Sequence, residues 1–522
     1  MQFLVAGRFD SVSPRSFPHV TLRRDDWDDF HYKTLFDATL VLSSTQQYEL
    51  GQVKILQRGQ TSGQTPLESS FEVLGADYCS LGQELAYYEV IAGVPTEHRR
   101  AYLSAMRDAA ANAAIEDDFK TEDGWSTSLL RFGQATNALE AGRRLLRGES
   151  VATGVLSFAF EGSPGGLPLR VPFSFDDAAD LPGRCNVLIG YNGVGKTRLL
   201  ADLAVAASGY GASKDRTGQA RLTGDDTTFG AVVAVSYSAF DTFKTPTPRS
   251  TRIEEAHGRT EVFGYVYCGL RKFVGSREAS KDAVETDLVQ VTDAGVQQGQ
   301  ILKTIDEIEQ EFAVALREAG LREEHSHLTR ALDLLAQEPS FGRIGVDLRD
   351  LGRGLEAERA LEGFKILSTG HKIVVNIVTQ LAAHLRQRSL VLIDEPETHL
   401  HPPLMAALLK AIQSLLDAYD SFAVIATHSP VVVQEVPARY VQVLERLGNQ
   451  TTVRPASIET YGEGVGVITR QIFSLDSSAT DYQGVLADLA SRLSLDEIDD
   501  LFDNGMSNQA RALVQNYLSR GN

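Results

Sequence analysis

A glycine-rich segment that ends in a lysine and a hydroxyl residue is the clearest chemical feature of the sequence. Residues 190–197 read Gly-Tyr-Asn-Gly-Val-Gly-Lys-Thr and fit the phosphate-loop pattern G-x-x-x-x-G-K-[ST]. Glycines let the backbone curl so that successive N–H groups face one hollow, and the helix that follows presents its positive end to an anion. In such a loop Lys196 reaches the β- and γ-phosphates, and Thr197 binds magnesium. The sequence therefore predicts a nucleotide site made by Gly190, Asn192, Gly193, Gly195, Lys196 and Thr197.

Two adjacent acids much further along the chain complete the predicted site. Asp394 and Glu395 follow directly on the apolar run Leu-Val-Leu-Ile. An acid at the end of a buried strand emerges at the carboxyl edge of the sheet, where nucleotides bind in α/β folds. Asp394 is suited to hold magnesium, and Glu395 to orient the attacking water or accept its proton. An isolated Asp-Glu pair is often only a solvated strand end, but the phosphate loop in the same chain favours the functional interpretation.

Two further elements have the residue types of an anion clamp and a phosphate sensor. Ser368 and Gly370, in Leu-Ser-Thr-Gly-His-Lys, precede an apolar helix, and Ser368 lies 26 residues before Asp394. A small hydroxyl and a glycine at a helix N-terminus can bind an anion, although serine is also a common helix cap. His428 follows another apolar strand, 34 residues beyond Asp394. A lone histidine at a strand end is more often structural than catalytic, so its role depends on its neighbours.

The elements that must hold these residues are short apolar runs separated by helical segments. The runs cover residues 186–189, 231–241, 389–394 and 422–427. Such an alternation is typical of a buried, mostly parallel sheet with helices on both faces, so the predicted fold class is α/β. Before the phosphate loop, residues 155–160 and 167–175 flank a turn-rich segment and predict a hairpin.

Outside this sheet the sequence predicts three further parts. Residues 1–150 are expected to form a separate α+β module, with strands first and helices from about residue 82. A helical insertion is expected at about 245–360, where Ile301, Ile305, Ile308, Phe312 and Leu316 form one apolar stripe of a two-helix lid over 296–337. Residues 476–522 are expected to form a helical tail.

Taken together, the motifs resemble the ATP-binding-cassette ATPases, and among them the branch that includes RecF, the SMC proteins and the OLD family. The order is phosphate loop, L-S-x-G signature, acid pair and switch histidine, and the phrases DEPETHLHP (394–402) and ATHSP (426–430) are characteristic of the RecF/OLD-like group. The resemblance covers about residues 151–475. It implies an ATPase head that binds ATP with Mg²⁺.

The resemblance also implies how two chains would share one nucleotide. In a head-to-tail dimer, Ser368 and Gly370 of one chain would cap the γ-phosphate held by Lys196 and Thr197 of the other. His428 would contact that phosphate from the same chain as the loop. The family usually has a glutamine after the strand that follows the phosphate-loop helix, but residues 236–243 contain none. Ser238 or Asp241 could substitute for it.

Composition limits the partners that the chain can have. With 50 Lys and Arg against 69 Asp and Glu, the formal net charge is −19, which excludes a nucleic-acid binder that works by overall charge. DNA contact would need a local basic group, such as Arg143, Arg144 and Arg147, which could share one helix face. The three cysteines show no paired spacing, and no apolar run is long enough to span a bilayer, so a cytoplasmic location without a membrane partner is expected.

These features lead to one main hypothesis and three alternatives. The main hypothesis is an ATPase subunit of a bacterial antiphage module, which dimerises around ATP and regulates an effector such as a nuclease or toxin. That effector would be a separate chain, because the 94 residues after His428 contain no strand-borne DxD pair of a metal-dependent nuclease. The alternatives are a RecF-like DNA-repair ATPase, the ATPase of a membrane transporter, and a scaffold that uses ATP as a structural ligand.

Overall fold

The fold is described from a computed structural model of the full chain. The structure describes residues 1–7, 10, 16–148, 155–163, 166–176, 180–212, 220–224, 227–238, 241–244, 261–274, 291–293, 296–321, 325–345, 348, 357–398, 400–448, 450–472 and 481–520.

The described residues between 1 and 148 build a six-stranded sheet covered by helices. The strands are β1 (Gln2–Ala6), β2 (His19–Arg24), β3 (Tyr32–Lys33), β4 (Leu35–Ser43), β5 (Gln46–Gln57), β6 (Gly63–Gln64), β7 (Ser70–Phe71) and β8 (Tyr78–Gly82). The helices are α1 (Leu85–Gly93), α2 (Thr96–Ala105), α3 (Ala113–Phe119) and α4 (Gly133–Leu146), with a π-helical turn at Trp125–Leu129. The sheet order is β7-β1-β2-β4-β5-β8, while β3 and β6 pair separately. The expected order of strands before helices is therefore observed.

The central sheet of the chain follows. It has eight strands in the order β14-β15-β13-β19-β20-β11-β21-β22. Their bounds are β11 (Cys185–Ile189), β13 (Val232–Ser236), β14 (Glu261–Val262), β15 (Tyr265–Gly269), β19 (Leu390–Asp394), β20 (Phe422–Thr427), β21 (Val441–Leu447) and β22 (Gln450–Pro455). The six inner strands run parallel, and only the edge pairs β14/β15 and β21/β22 are antiparallel. Strands β11, β13, β19 and β20 are buried along their whole length. The predicted α/β fold with a buried, mostly parallel sheet is confirmed.

A smaller sheet and several helices cover the two faces of the central sheet. The small sheet has the order β10-β9-β12 and contains β9 (Leu156–Gly162), β10 (Leu169–Phe175) and β12 (Arg221–Thr223). Strands β9 and β10 form an antiparallel pair, as the predicted hairpin requires. The helices are α5 (Lys196–Ser208), α6 (Ile305–Leu321), α7 (His325–Leu335), α8 (Pro339–Ile344), α9 (Ala357–Ile366), α10 (Thr369–His384), α11 (Pro402–Ala418) and α12 (Pro430–Gln434).

The segment expected to be a helical insertion contains strands as well as helices. Strand β15 belongs to the central sheet, and β16 (Arg271–Val274), β17 (Val291–Asp293) and β18 (Val296–Leu302) form an antiparallel sheet. The prediction of helix from residue 296 is therefore wrong, because β18 finds partners in β16 and β17 and helix α6 begins only at Ile305. Cross-strand pairing overrides the local helical spacing.

The expected lid is instead a packed layer of the core. Helix α6 contacts α10, and α7 contacts α11. Phe312, Leu328 and Leu332 are at most 2 % exposed, and they belong to the same apolar cluster as Ile393 of β19. These helices are therefore fixed by apolar burial and do not form a free cover over the site. The boundaries of the insertion stay a prediction.

The chain ends in helices α13 (Val465–Ile472), α14 (Asp481–Ala490), α15 (Leu495–Asp499) and α16 (Asn508–Arg520). The last three pack around a small apolar cluster that includes Ile498 and Val514. Serine 494 caps α15 in a reciprocal capping box with Glu497. Among the helices that the structure describes, none combines the length and the apolar composition that a bilayer span requires.

The N-terminal module is joined to the head by an aromatic contact. Phe132, which precedes α4, stacks on Phe263 of the β14–β15 turn with ring centroids 4.3 Å apart, and Trp27 meets Phe263 edge-on at 4.7 Å. The buried Lys54 ammonium lies 5.3 Å from the Phe132 ring and pairs with Asp29 at 2.8 Å. Helix α4 also contacts α5, the helix that begins in the phosphate loop. The module is thus packed directly against the nucleotide-binding part of the fold.

Candidate functional site

The phosphate loop connects the end of β11 with the start of α5. Gly195 is the residue before the helix and has a left-handed backbone with φ +99°, and Gly193 has φ +81°. A Cβ on Gly190 would lie 2.5 Å from the carbonyl oxygen of Leu444, so only glycine fits between the loop and β21. The hairpin β21–β22 holds the loop from outside, since Arg446 donates to the Gly193 carbonyl at 3.1 Å.

Lys196 lies at the centre of the site. The residue is 4 % exposed, and its ammonium donates to the Gly190 carbonyl at 2.9 Å and to the Tyr191 carbonyl at 3.2 Å. It also lies 3.7 Å from Oε1 of Glu395. Burial lowers the pKa of Lys196, whereas the nearby carboxylates act in the opposite direction. A buried cation facing acids at a helix N-terminus is well placed to meet the phosphates of a nucleotide.

Asp394 is the last residue of β19, and the sheet register places it between two other strand ends. It pairs with Ser236 of β13 on one side and with Ala426 of β20 on the other. The side chain is 3 % exposed, and burial raises the pKa of Asp394 to about 7. The negative charges of Glu395 and Asp241 also raise this pKa, whereas the hydrogen bond from Thr197 lowers it. Its Oδ1 atom is buried and has no hydrogen-bond partner among the described residues.

These features fit a magnesium ion held as the sequence predicts. A buried carboxylate oxygen without a partner, next to the Thr197 hydroxyl, is a donor set for a hard cation. In the described part of the chain no group of three or more His, Cys, Asp or Glu side chains surrounds a metal position. Magnesium is commonly bound through one or two carboxylates together with substrate phosphates and water, so the predicted pair of Asp394 and Thr197 is compatible with such a site.

Glu395 occupies a strained position beside the lysine. Its backbone has φ +45°, in the left-handed region that a glutamate seldom adopts, and its N–H donates to the Ala426 carbonyl at 2.8 Å. The side chain is 28 % exposed, and its Oε1 lies 3.7 Å from Lys196 Nζ and 3.7 Å from His428 Nδ1. Backbone strain of this kind costs about 1–3 kcal/mol and is concentrated at functional sites.

His428 follows β20 and faces the same acids. Its Nδ1 atom is 3.1 Å from Oε1 of Glu397, and the ring is 45 % exposed. The same carboxylate oxygen accepts hydrogen bonds from the Thr427 hydroxyl at 2.7 Å and from the His428 backbone N–H at 2.8 Å. Glu397 was not singled out in the sequence, although it lies within the DEPETHLHP phrase. Only its contacts identify it as part of the site.

The structure brings Lys196, Thr197, Asp394, Glu395 and His428 to one edge of the central sheet. They come from the carboxyl ends of β19 and β20 and from the first turn of α5, which the phosphate loop connects to β11. Neighbouring parallel strands that end together place their last residues side by side, which is the physical basis of the site. Gly190, Asn192, Gly193 and Gly195 line the loop at the same edge, and Asn192 is exposed. Their roles in binding remain predictions.

The signature residues lie at the start of a different helix, where Ser368 is exposed and Gly370 is half-buried. Ser368 is the residue before α10, and its hydroxyl is 2.6 Å from Nδ1 of His371, whose other ring nitrogen is 2.6 Å from the Ser340 hydroxyl. The Ser368 side chain makes no cap hydrogen bond to the helix. Gly370 follows in the first turn of α10. Their predicted contact with a nucleotide would come from a second chain.

The segment without the expected glutamine contributes a buried acid. Asp241 is 3 % exposed and accepts a hydrogen bond from the Tyr267 hydroxyl at 2.7 Å. Burial raises its pKa, and its charge in turn raises the pKa of Asp394. Ser238 is partly buried, and its backbone N–H donates to the Ser236 hydroxyl at 3.4 Å. Of the two predicted substitutes, Asp241 is the one with an electrostatic effect on Asp394.

The basic group considered for DNA contact is partly engaged within the protein. Arg143 of α4 pairs with Glu116 at 2.7 Å and also donates to the Ala109 carbonyl. Arg144 and Arg147 lie near the end of the same helix. Direct binding of DNA by this group remains a prediction.

Comparison with known proteins gives a family match over part of the chain and a similarity to a phage protein along most of it. A model of the family described as "AAA domain, putative AbiEii toxin, Type IV TA system" matches residues 276–434, which include the signature, the acid pair and His428. Protein ea59 of Escherichia phage lambda is 28 % identical over 492 residues, which cover 91 % of this chain and 90 % of that protein. The family match supports a P-loop ATPase domain.

Two solved structures show a weaker likeness. UvrA2 from Deinococcus radiodurans is 20 % identical with a TM-score of 0.26, over 58 % of this chain and 38 % of that one. The SMC head domain from Thermotoga maritima is 11 % identical with a TM-score of 0.25, over 58 % of this chain and all of that one. The site and the family match together favour a P-loop ATPase.

Proposed function

We propose that this chain binds ATP with Mg²⁺ at the edge of its central sheet and hydrolyses it to ADP and phosphate. The observation that carries the proposal is the convergence of a buried lysine, two acids and a histidine, with Lys196 and His428 each 3.7 Å from Glu395. A cation for the phosphates, an acid for the attacking water and a sensor for the terminal phosphate are the parts that phosphoryl transfer to water requires.

Each side chain has a role that follows from its surroundings. Lys196 and the N-terminus of α5 bind the β- and γ-phosphates, because they combine a buried positive charge with a helix dipole. Thr197 and Asp394 hold Mg²⁺, which neutralises charge on the phosphate oxygens when bound. Glu395 orients the water and accepts its proton, since its carboxylate is partly exposed and lies beside the phosphate site. His428 donates a hydrogen bond to the γ-phosphate.

The arrangement of the signature supports a site that two chains complete. Ser368 and Gly370 lie at the exposed N-terminus of α10, a 16-residue helix whose dipole favours an anion at that end. In the proposed head-to-tail dimer this end caps the nucleotide bound by the other chain. ATP then holds the two heads together, and hydrolysis releases them.

The proposed biological role is control of a separately encoded effector in antiphage defence. The matched family description refers to a toxin and a type IV toxin–antitoxin system, which supports a role beside a toxin or nuclease. The net charge of −19 also suits a chain that binds a basic protein. DNA could serve as the trigger, through a local contact made when the heads close.

Phosphate release from ATP tests the proposed activity. Wild type is expected to hydrolyse ATP only with Mg²⁺, and Glu395→Gln to bind ATP but hydrolyse it at least 100-fold more slowly. Glu435→Gln is the matched control, because Glu435 is an exposed acid that undergoes the same change of charge. Equal rates for wild type and Glu395→Gln would contradict hydrolysis at this site.

Light scattering with ATP tests the dimer. Glu395→Gln with MgATP is expected to have twice the monomer mass, and a further Ser368→Arg substitution is expected to abolish the association. A dimer that persists with Arg at this position would contradict the proposed cap. The proposed effector is tested by expressing the tagged chain together with its neighbouring genes and purifying it. An effector protein is expected to copurify, and its absence would contradict the defence role.

A further inference from the structure

Glu397 lies in the turn that joins the acid pair to helix α11, and its side chain holds the end of β20. Oε1 accepts hydrogen bonds from the Thr427 hydroxyl at 2.7 Å and from the His428 backbone N–H at 2.8 Å, and it lies 3.1 Å from Nδ1 of the His428 ring. The side chain is only 10 % exposed. Glu397 therefore fixes both the backbone and the imidazole of His428.

We propose that Glu397 is the positioning residue of the histidine: its carboxylate keeps the proton on Nδ1 and directs Nε2 toward the terminal phosphate. This inference rests on the proposed function, because it assigns a role within the same nucleotide site. Glu397 does not touch the nucleotide itself. It acts through His428.

The chemistry of a carboxylate explains why this residue type is required. An ionised carboxylate only accepts hydrogen bonds, so the imidazole nitrogen facing it must carry a proton. A partner that holds one ring nitrogen also fixes the orientation of the ring and therefore the direction of the other nitrogen. A ring that carries a proton on both nitrogens donates from Nε2 as well, and a phosphate oxygen requires such a donor.

The exposure of the imidazole shows why its orientation must be fixed by a polar contact. The ring is 45 % exposed, so packing alone leaves it free to adopt other rotamers. Glu395 also faces Nδ1, but at 3.7 Å it is beyond hydrogen-bond distance and lies equally close to Lys196. The contact at 3.1 Å is with Glu397. The two acids thus have different roles: Glu397 contacts the histidine, and Glu395 lies beside the lysine and the proposed phosphate site.

Nucleotide affinities test this role without any need for hydrolysis. The dissociation constants of ADP and of ATPγS are measured for wild type, Glu397→Gln, His428→Ala and the double variant. Glutamine has nearly the same shape and can still accept from Thr427, but it is neutral and no longer dictates the Nδ1 proton. Glu397→Gln and His428→Ala are each expected to reduce the preference for ATPγS over ADP by about 10-fold or more, with ADP affinity unchanged within about 3-fold.

Turnover provides the second measurement. Glu397→Gln is expected to lower kcat about 10- to 100-fold with KM changed less than about 3-fold, and to have almost no further effect in a His428→Ala background. Glu397→Asp is expected to recover part of the loss, because it restores the charge. Glu435→Gln is the control for the change of charge, and equal thermal midpoints of all variants establish that they are folded.

The outcomes separate this inference from the proposed function. If Glu397→Gln keeps the wild-type preference for ATPγS, or lowers kcat equally with and without His428, positioning through the histidine is overturned while the ATPase proposal stands. If the wild type binds neither nucleotide, the proposed function fails and the role of Glu397 fails with it. If Glu397→Gln and His428→Ala weaken ATPγS binding alike and non-additively, the inference is supported.

Discussion

Asp394→Asn is expected to stabilise the protein in the absence of nucleotide and to remove its response to magnesium. The carboxyl group is 3 % exposed, and burial raises its pKa from an ordinary value of 3.8 to about 7. That difference in pKa means that the ionised carboxylate destabilises the folded chain by ~4 kcal/mol relative to the unfolded chain. Because asparagine is neutral but still polar, we expect it to recover about 2–4 kcal/mol at pH 8.

The pH dependence follows from the direction of the shift. Between about pH 4 and pH 7 the folded chain keeps a proton on Asp394 that the unfolded chain has released, so wild-type stability falls as the pH rises through this range. The advantage of Asp394→Asn is therefore small at pH 4.5 and reaches its full size above pH 7. Thermal midpoints measured with EDTA at both pH values give the difference, and Asp500→Asn controls for the same substitution at an exposed site.

Magnesium and ATP are expected to make wild type more stable than Asp394→Asn. At 1,000 times its dissociation constant a ligand stabilises a protein by about 4.1 kcal/mol, which exceeds the advantage of Asp394→Asn. Wild type should gain this amount from MgATP, while Asp394→Asn gains much less. Wild-type affinity for Mg²⁺ with ATP should also weaken from pH 8 to pH 6, because the metal must displace the proton from Asp394. If Asp394→Asn is less stable than wild type at pH 8 without nucleotide, the reasoning from burial is refuted.

Three further substitutions test the loop and its supports. Lys196→Ala should abolish ATP binding in equilibrium dialysis while the thermal midpoint stays within a few degrees, and retained micromolar binding would contradict the assigned loop. Gly190→Ala should weaken ATP binding at least 10-fold, because its Cβ would lie 2.5 Å from the Leu444 carbonyl oxygen. Gly320→Ala is the control: a Cβ there meets nothing within 4 Å, so this variant should bind ATP normally and be more stable by about 0.5–1 kcal/mol. Phe132→Ala should lower the unfolding free energy by about 3–5 kcal/mol in urea denaturation, since the ring is 1 % exposed and stacked on Phe263, and Phe132→Leu should cost much less.

The chemistry of the site could be predicted because each of its parts is local in sequence. A phosphate loop needs its glycines, lysine and hydroxyl within eight consecutive residues, and the acid pair and the histidine each follow a single apolar strand. Parallel strands of one sheet end at the same edge, and the resemblance to the ATP-binding-cassette ATPases implied that Lys196, Asp394 and His428 meet there. Their proximity also depends on the strand order β19-β20-β11, which the structure provides.

The residues that escaped prediction are those whose role depends on a contact across the fold. Glu397 becomes part of the site only because Oε1 meets Thr427 and His428, which are about 30 positions away in the chain. Asp241 was one of two open choices, and its effect on Asp394 depends on the adjacency of β13 and β19. A sequence pattern indicates residue type and spacing, but not which polar atoms meet.

The sequence by itself determined the α/β class, the hairpin before the phosphate loop and the residues of that loop, because these depend on short-range periodicity and on glycine chemistry. The tertiary structure decided that Val296–Leu302 is a strand and that helices α6 and α7 belong to the core, because strand pairing and apolar burial override local spacing. It also decided that Phe132 joins the N-terminal module to the head. Such contacts depend on the free energy of the whole packed chain, so they cannot be read from any single segment.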